Sequence, residues 1–320
     1  QYVVSLGLVK DLAIESGRPV TFGIFSRREV PGVWRTYLDL LDETAAAGGR
    51  MFGQAHSRSL SALLSFKTQL PFDTLPVWTD LRALPLAEQR QRLRDPQLRR
   101  RLVEVADTPS GRRAVGTEAR DADYDWILVF DTVEGPHRTV ASVARERGQH
   151  PAETMIDLAL AHDLELFFLQ PVANEDQDFA LELMRHPRTV TTFSDSGAHV
   201  SQLMDSSLQT HLLSHWVRTK GAFTLEQAVR MVTFVPATLW GFADRGLIRE
   251  GLAADLVVFD PETIAAEMPE VADDLPAGAR RLVQRCRGVA ATVVNGEVLL
   301  REGKPTGALP GRLLRGPLAR

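Results

Sequence analysis

The feature that most constrains this chain is an alternation of short β-rich runs with longer amphipathic stretches. Residues 19–25 (PVTFGIF) follow Gly17, and residues 34–47 (WRTYLDLLDETAAA) carry apolar side chains at helical intervals up to a Gly48-Gly49 stop. A strand followed by a helix in this order is one βα unit. Residues 50–56 (RMFGQAH) begin the next, and residues 126–130 (WILVF), 164–169 (LELFFL) and 189–193 (TVTTF) read as further strands. Helices are expected at 151–162, where Pro151 takes the first turn, and at 181–185, 211–218 and 225–233. Residues 57–72 read as an apolar loop region, and a charged helix follows that ends near Val103. Repeated βα units imply a parallel sheet and an α/β class.

After Gly246 the texture changes. Residues 254–259 (ADLVVF) and 291–300 (ATVVNGEVLL, with Asn295-Gly296 as a tight turn) read as short strands with no helix between them. The expected division is therefore residues 1–245 and residues 246–320, a small β portion and a Pro/Gly-rich tail.

A length of 320 residues suits one large barrel-type domain or two smaller ones. With 37 basic and 41 acidic residues the net charge is -4, which provides no broad basic field for nucleic acid. The densest basic run, residues 90–101 (RQRLRDPQLRRR), is interleaved with leucines at helical spacing and reads as a solvated helix face. The single cysteine, Cys286, excludes an intrachain disulfide framework and reads as a small buried hydrophobe. No stretch reaches 18 apolar residues and no signal segment opens the chain, so a cytoplasmic protein without a membrane partner is expected. The start at Gln1 rather than methionine points to a truncated or processed product.

The sharpest chemical signal is Phe193-Ser194-Asp195-Ser196-Gly197-Ala198-His199, where a β run delivers a carboxylate, hydroxyls, a glycine and an imidazole. In parallel barrels the chemistry sits where strands end and loops begin. An Asp there can hold a metal and take a proton from water; the same residues also suit a helix cap or turn. Gln54-Ala55-His56 likewise ends a strand, which makes His56 a candidate ligand as well as a structural imidazole. His199 suits substrate binding. His211 and His215 lie four apart on one helical face without the Glu of an HExxH motif, so helix packing is expected. His137, His150, His162 and His186 sit beside prolines or at helix edges and read as surface or capping residues. There is no GxGxxG after a strand, no P-loop and no GxSxG elbow.

Residues 193–200 (FSDSGAHV), 225–264 (LEQAVRMVTFVPATLWGFADRGLIREGLAADLVVFDPETI) and 293–307 (VVNGEVLLREGKPTG) closely resemble the C-terminal half of the amidohydrolase superfamily. Within it the likeness is to the N-acyl-D-amino-acid deacylase, or D-aminoacylase, branch. The T-x-x-P-A-x-x-x-G segment at 233–241 and the final V-x-N-G hairpin carry it, and GRPVTFGIF, LPLAEQRQRLRDP and HPAETMIDLAL extend it upstream. The resemblance implies a (β/α)8 TIM barrel of the metal-dependent hydrolase type, its N-terminal strands missing here, with part of a small C-terminal β-sandwich. It implies a divalent metal, usually zinc, and a small-molecule substrate, and it leaves homo-oligomerisation open. Asp195 matches the strand-8 Asp that ligates metal and activates water, and His56 falls on a strand that bears a His ligand in many members.

Two departures stand out. No His-x-His occurs anywhere in the chain, and Gly23-Ile24-Phe25-Ser26 fill the strand end where active deacylases carry a His. The resemblance implies hydrolysis of an amide in an N-acyl-D-amino acid, with Ser57, Arg58, Ser196 and His199 as candidates for holding the substrate. The competing reading is a metal-free barrel that binds a ligand or partner without catalysis.

Overall fold

The computed structural model describes residues 2–111, 114, 118–194, 202 and 206–315. Strands β1 (Val20–Gly23), β2 (Met51–Ala55) and β6 (Thr189–Thr191) form a parallel sheet in the order β1-β2-β6. Val20 is in register with Met51, and Gly53 with Thr189. Parallel neighbours need a crossover, and α2 (Val33–Ala46) supplies it between β1 and β2. Its Trp34, Leu38, Leu41 and Thr44 are buried, a spacing of three to four residues that lays one face on the sheet. Trp34, Leu38 and Leu41 join Ile24, Met51, Ala55, Leu183, Leu212 and Trp216 in one core, flanked by α1 (Tyr2–Ser16) and by α8 (Gln177–Arg185). Asp176 caps α8 by accepting from the Asp178 and Phe179 amides.

Between β2 and β6 the chain builds a second layer. Strands β3 (Leu60–Leu64), β4 (Leu128–Phe130) and β5 (Phe167–Ala173) form a sheet in the order β3-β5-β4, and both pairings are antiparallel. This corrects two expectations: residues 126–130 and 164–169 do not extend the parallel sheet, and the supposed loop at 57–72 contains a strand. The physical reason is burial. All five residues of β3 are buried and six of seven in β5 are, and a continuous apolar run carries no mark of strand direction.

Helices α3 (Trp78–Arg82), α4 (Leu86–Arg92), α5 (Pro96–Val105), α6 (Val140–Arg147) and α7 (Pro151–Ala161) contribute to a second core containing Phe66, Phe72, Trp78, Leu102, Ile127, Ile156 and Phe168. The basic run is split at Asp95-Pro96. Asp95 accepts from the Gln97 amide, Pro96 opens α5, and Leu93 and Leu102 are buried while the arginines ring the solvent side.

After β6 come α9 (Leu208–His211), a π-helix (Leu212–Thr219), α10 (Leu225–Val232) and α11 (Phe234–Leu239). A capping box of Thr224 and Gln227 opens α10. Among the described residues the C-terminal portion carries the expected short strands, with a single 3-10 turn at Pro276–Gly278. Its main sheet has the order β14-β13-β12-β7, from β7 (Leu256–Phe259), β12 (Val289–Val294), β13 (Glu297–Arg301) and β14 (Lys304–Pro305). Asn295 (φ 48°) and Gly296 (φ 86°) make the left-handed turn that joins β12 to β13. Two small antiparallel pairs accompany it, β8 (Ala265–Ala266) with β11 (Cys286–Arg287) and β9 (Glu270–Leu275) with β10 (Ala279–Val283). Cys286 is exposed, against expectation, because β11 is two residues long and has β8 on one edge. Among the described residues no helix is long and apolar enough to cross a membrane.

Candidate active site at the ends of the parallel strands

The ends of β1, β2 and β6 meet. The Phe193 amide donates to Ala55 O (3.3 Å), and the Ile24 amide to Gln54 O (2.9 Å). At the end of β1 the Ser26 amide donates to Asn174 Oδ1 (3.0 Å), which ties the end of β5 to the same rim. The chain enters Asp195 two residues after Phe193; Asp195, Ser196 and His199 lie outside the described residues.

His56, Ser57 and Arg58 follow β2 directly and are buried. Three hydrogen bonds fasten this turn to the helical segment that follows β6. Ser57 Oγ donates to Leu208 O (2.6 Å), Arg58 Nη1 donates to Ser207 Oγ (2.6 Å), and Trp216 Nε1 donates to Ser57 O. No sequence signal announces these partners, which lie about 150 residues away. The use of a π-helix here fits the tendency of such segments to occur at functional sites.

His56 Nδ1 lies 3.1 Å from both the amide nitrogen and the carbonyl oxygen of Arg58. When Nδ1–H donates to that carbonyl, Nε2 keeps its lone pair, the arrangement in which metal-binding imidazoles are held. His56 thus fits one ligand position. Among the described residues no group of three His, Cys, Asp or Glu could hold a metal ion.

The rings of His211 and His215 stack at 4.7 Å and 8°, and His215 Nε2 lies 3.2 Å from Gln177 Oε1. Burial pushes both below the ordinary imidazole value of 6.5, and the Arg58 guanidinium lowers them further. A folded-state pKa below the unfolded one means that the unfolded chain takes up protons first as pH falls. Stability is therefore expected to decline below about pH 6.5. Denaturant midpoints should drop between pH 7.5 and pH 5, and the drop should be smaller in His215→Asn; identical slopes would refute this. Elsewhere His150 caps α7 by accepting from the Ala152 amide, and His186 lies 3.4 Å from Asp42.

Gly23 explains one departure from the family pattern. A Cβ built there would lie 2.8 Å from ring carbons of both Phe193 and Phe25. Those rings pack edge to face with centroids 4.5 Å apart. The aromatic pair thus occupies the space that a side chain at position 23 would need. Gly23→His is expected to lower stability by about 1–3 kcal/mol through overpacking and to add no metal. Thermal unfolding and metal analysis check both parts, and an equally stable variant with extra metal would refute the steric account.

These features define an α/β protein in which buried His56, Ser57 and Arg58 close the end of β2 beside the end of β6. The chain belongs to the amidohydrolase family, whose profile matches residues 11–300. It is similar to a D-aminoacylase of Alcaligenes xylosoxydans xylosoxydans, 28% identical over 199 residues that make up 59% of this chain and 36% of that one. An N-acyl-D-glutamate deacylase of the same organism is 35% identical over 106 residues, covering 33% of this chain and 20% of its own length. Among solved structures, a D-aminoacylase with a binuclear metal centre aligns with a TM-score of 0.51 at 19% identity, covering 96% of this chain and 52% of that one. A D-aminoacylase variant in complex with copper chloride aligns with a TM-score of 0.53 at 19% identity, covering 98% and 53%. These structures establish a shared fold. The chain spans about half the length of the structures it matches.

Proposed function

We propose that this chain carries part of the active site of a metal-dependent amidohydrolase that cleaves the amide of an N-acyl-D-amino acid. The observation that supports this most is the junction of β2 and β6, where buried His56 lies beside the strand end that leads into Asp195. In this reading residues 1–245 belong to a (β/α)8 barrel and residues 246–320 to a small β-sandwich and tail.

A divalent ion held by His56, Asp195 and donors beyond the described residues would supply Lewis acidity toward the carbonyl oxygen and acidify water. Asp195 takes the proton from the attacking water and passes it to the leaving nitrogen. Arg58, with Ser196 and His199, binds the substrate carboxylate; its planar guanidinium suits that group, and Ser207 fixes its orientation. Ser57 has its proton committed to Leu208 O, so it shapes the turn and does not donate to substrate. The experiment is release of free amino acid from a panel of N-acetyl-D-amino acids by the full-length natural protein, with and without a chelator. Release that stops on chelation supports the proposal, and no release from any member refutes it.

The second reading, a metal-free binding barrel, is favoured by one observation. The Phe25–Phe193 pair fills the strand end beside Gly23 where active deacylases carry a His. Retention of a ligand by a metal-free protein would support it.

A further inference from the structure

The end of β5 carries a residue that the proposed mechanism does not use. Asn174 follows Ala173, is 1% exposed and takes a left-handed conformation (φ 54°) that residues other than glycine adopt at a cost. It grips Ser26, 148 residues away at the end of β1, in both directions. The Ser26 amide donates to Asn174 Oδ1 (3.0 Å), and the Asn174 backbone N–H donates to Ser26 O (2.8 Å). The Ser26 hydroxyl adds a longer donation to the same Oδ1 (3.4 Å). Because the Ser26 amide can only donate, the side-chain oxygen of Asn174 must face it, which leaves Nδ2 buried and without a partner.

Hydrogen bonds and ring contacts place this clasp between the strand ends of the candidate site. On one side Ser26 follows Phe25, whose ring packs edge to face on Phe193, and the Phe193 amide donates to Ala55 O. On the other side Ala173 O accepts the Ser59 hydroxyl (3.3 Å), and Ala173 is in register with Leu60. The chain just past His56, Ser57 and Arg58 is thereby joined to the same corner. A glycine would supply the left-handed turn without strain and without a buried, unpaired N–H. Those two costs offset the gain of the side-chain bond to Ser26, and local strain of this kind collects at functional sites.

We propose that Asn174 is a positioning residue of the strand-end site: through Ser26 it fixes the end of β1 and the Phe25–Phe193 pair against the turn that carries His56. This rests on the amide-hydrolysis reading above. Asn174 acts through Ser26 and not on the substrate. Reacting groups carried by strand ends lose rate steeply when they shift, about 100-fold for about 1 Å. The proposed carboxylate-binding group, Arg58, has its own partner in Ser207, so substrate affinity should change little.

The test compares Asn174→Gly and Asn174→Asp in the full-length natural protein on the best N-acetyl-D-amino acid. Asn174→Gly keeps the turn and removes the side-chain grip on Ser26; kcat should fall about 100-fold while KM stays within about threefold. Asn174→Asp returns an oxygen to the Ser26 amide and should recover at least about a tenth of wild-type kcat. A glycine variant within about threefold of wild-type kcat, a loss carried by KM alone, or a folded aspartate variant as slow as the glycine one overturns the proposal. Amide hydrogen exchange reads the clasp without turnover: Asn174→Gly should speed exchange in residues 24–27 and 191–194 at least about tenfold and leave the β9–β10 hairpin unchanged. Unchanged exchange in those two segments overturns the proposal. That measurement decides if the aspartate variant does not fold, or if wild type turns over no substrate, the result that defeats the amide-hydrolysis reading itself.

Discussion

Replacing Asp195 with Asn is expected to lower kcat on the best N-acetyl-D-amino acid by about 10³-fold, because general base catalysis contributes roughly 10²- to 10⁴-fold. Asparagine keeps the shape of the side chain and loses its ability to take a proton at neutral pH. The substitution therefore separates chemistry from architecture: the thermal unfolding curve should stay near that of wild type while turnover collapses. The expectation follows from sequence position and from the neighbourhood. The Phe193 amide is bonded to Ala55 O, one residue before buried His56, and Asp195 follows Phe193 by two residues in the sequence. Catalytic residues of parallel barrels come from such strand ends. A variant that keeps more than about a tenth of wild-type kcat would remove Asp195 from the role of base.

Arg58→Ala should lower kcat/KM by about 100-fold, mainly through KM, since a charge-assisted pair with the substrate carboxylate is lost. Arg58 is 8% exposed, bonds Ser207, and follows a turn that Ser57 and Trp216 fix in place. Its loss also strips Ser207 of a buried partner, at about 1–3 kcal/mol of stability. Arg58→Lys should rescue little, because one ammonium cannot reproduce the planar fork that serves both Ser207 and a carboxylate. A control substrate isolates the binding role: on the carboxamide of the same N-acetyl-D-amino acid, wild type and Arg58→Ala should converge. An equal loss on both substrates would assign Arg58 to the scaffold alone.

Several of the described elements were legible because their signals are local. His56 could be singled out from QAH at the end of a β run, and β1-α2-β2 from a strand, an amphipathic helix and a glycine stop in order. The small C-terminal sheet followed from Asn295-Gly296 between two β-rich runs. What stayed hidden depends on groups far apart in the chain. The antiparallel direction of β4 and β5 could not be read, since buried strands show one continuous apolar run whichever way they point. The Ser207 partner of Arg58 lies 149 residues away, and the Phe25–Phe193 pair that explains Gly23 spans a similar distance. Cys286 misled because a small apolar type was read as buried, whereas its strand has only two residues.

The central claim is a divalent metal serving amide hydrolysis at the strand ends, and metal analysis of the full-length natural protein, coupled to turnover, tests it most directly. The account predicts about one divalent ion or more per chain, with hydrolysis of N-acetyl-D-amino acids lost on chelation and restored by zinc. A metal-free protein that turns over none of these substrates would contradict it and favour the metal-free binding reading.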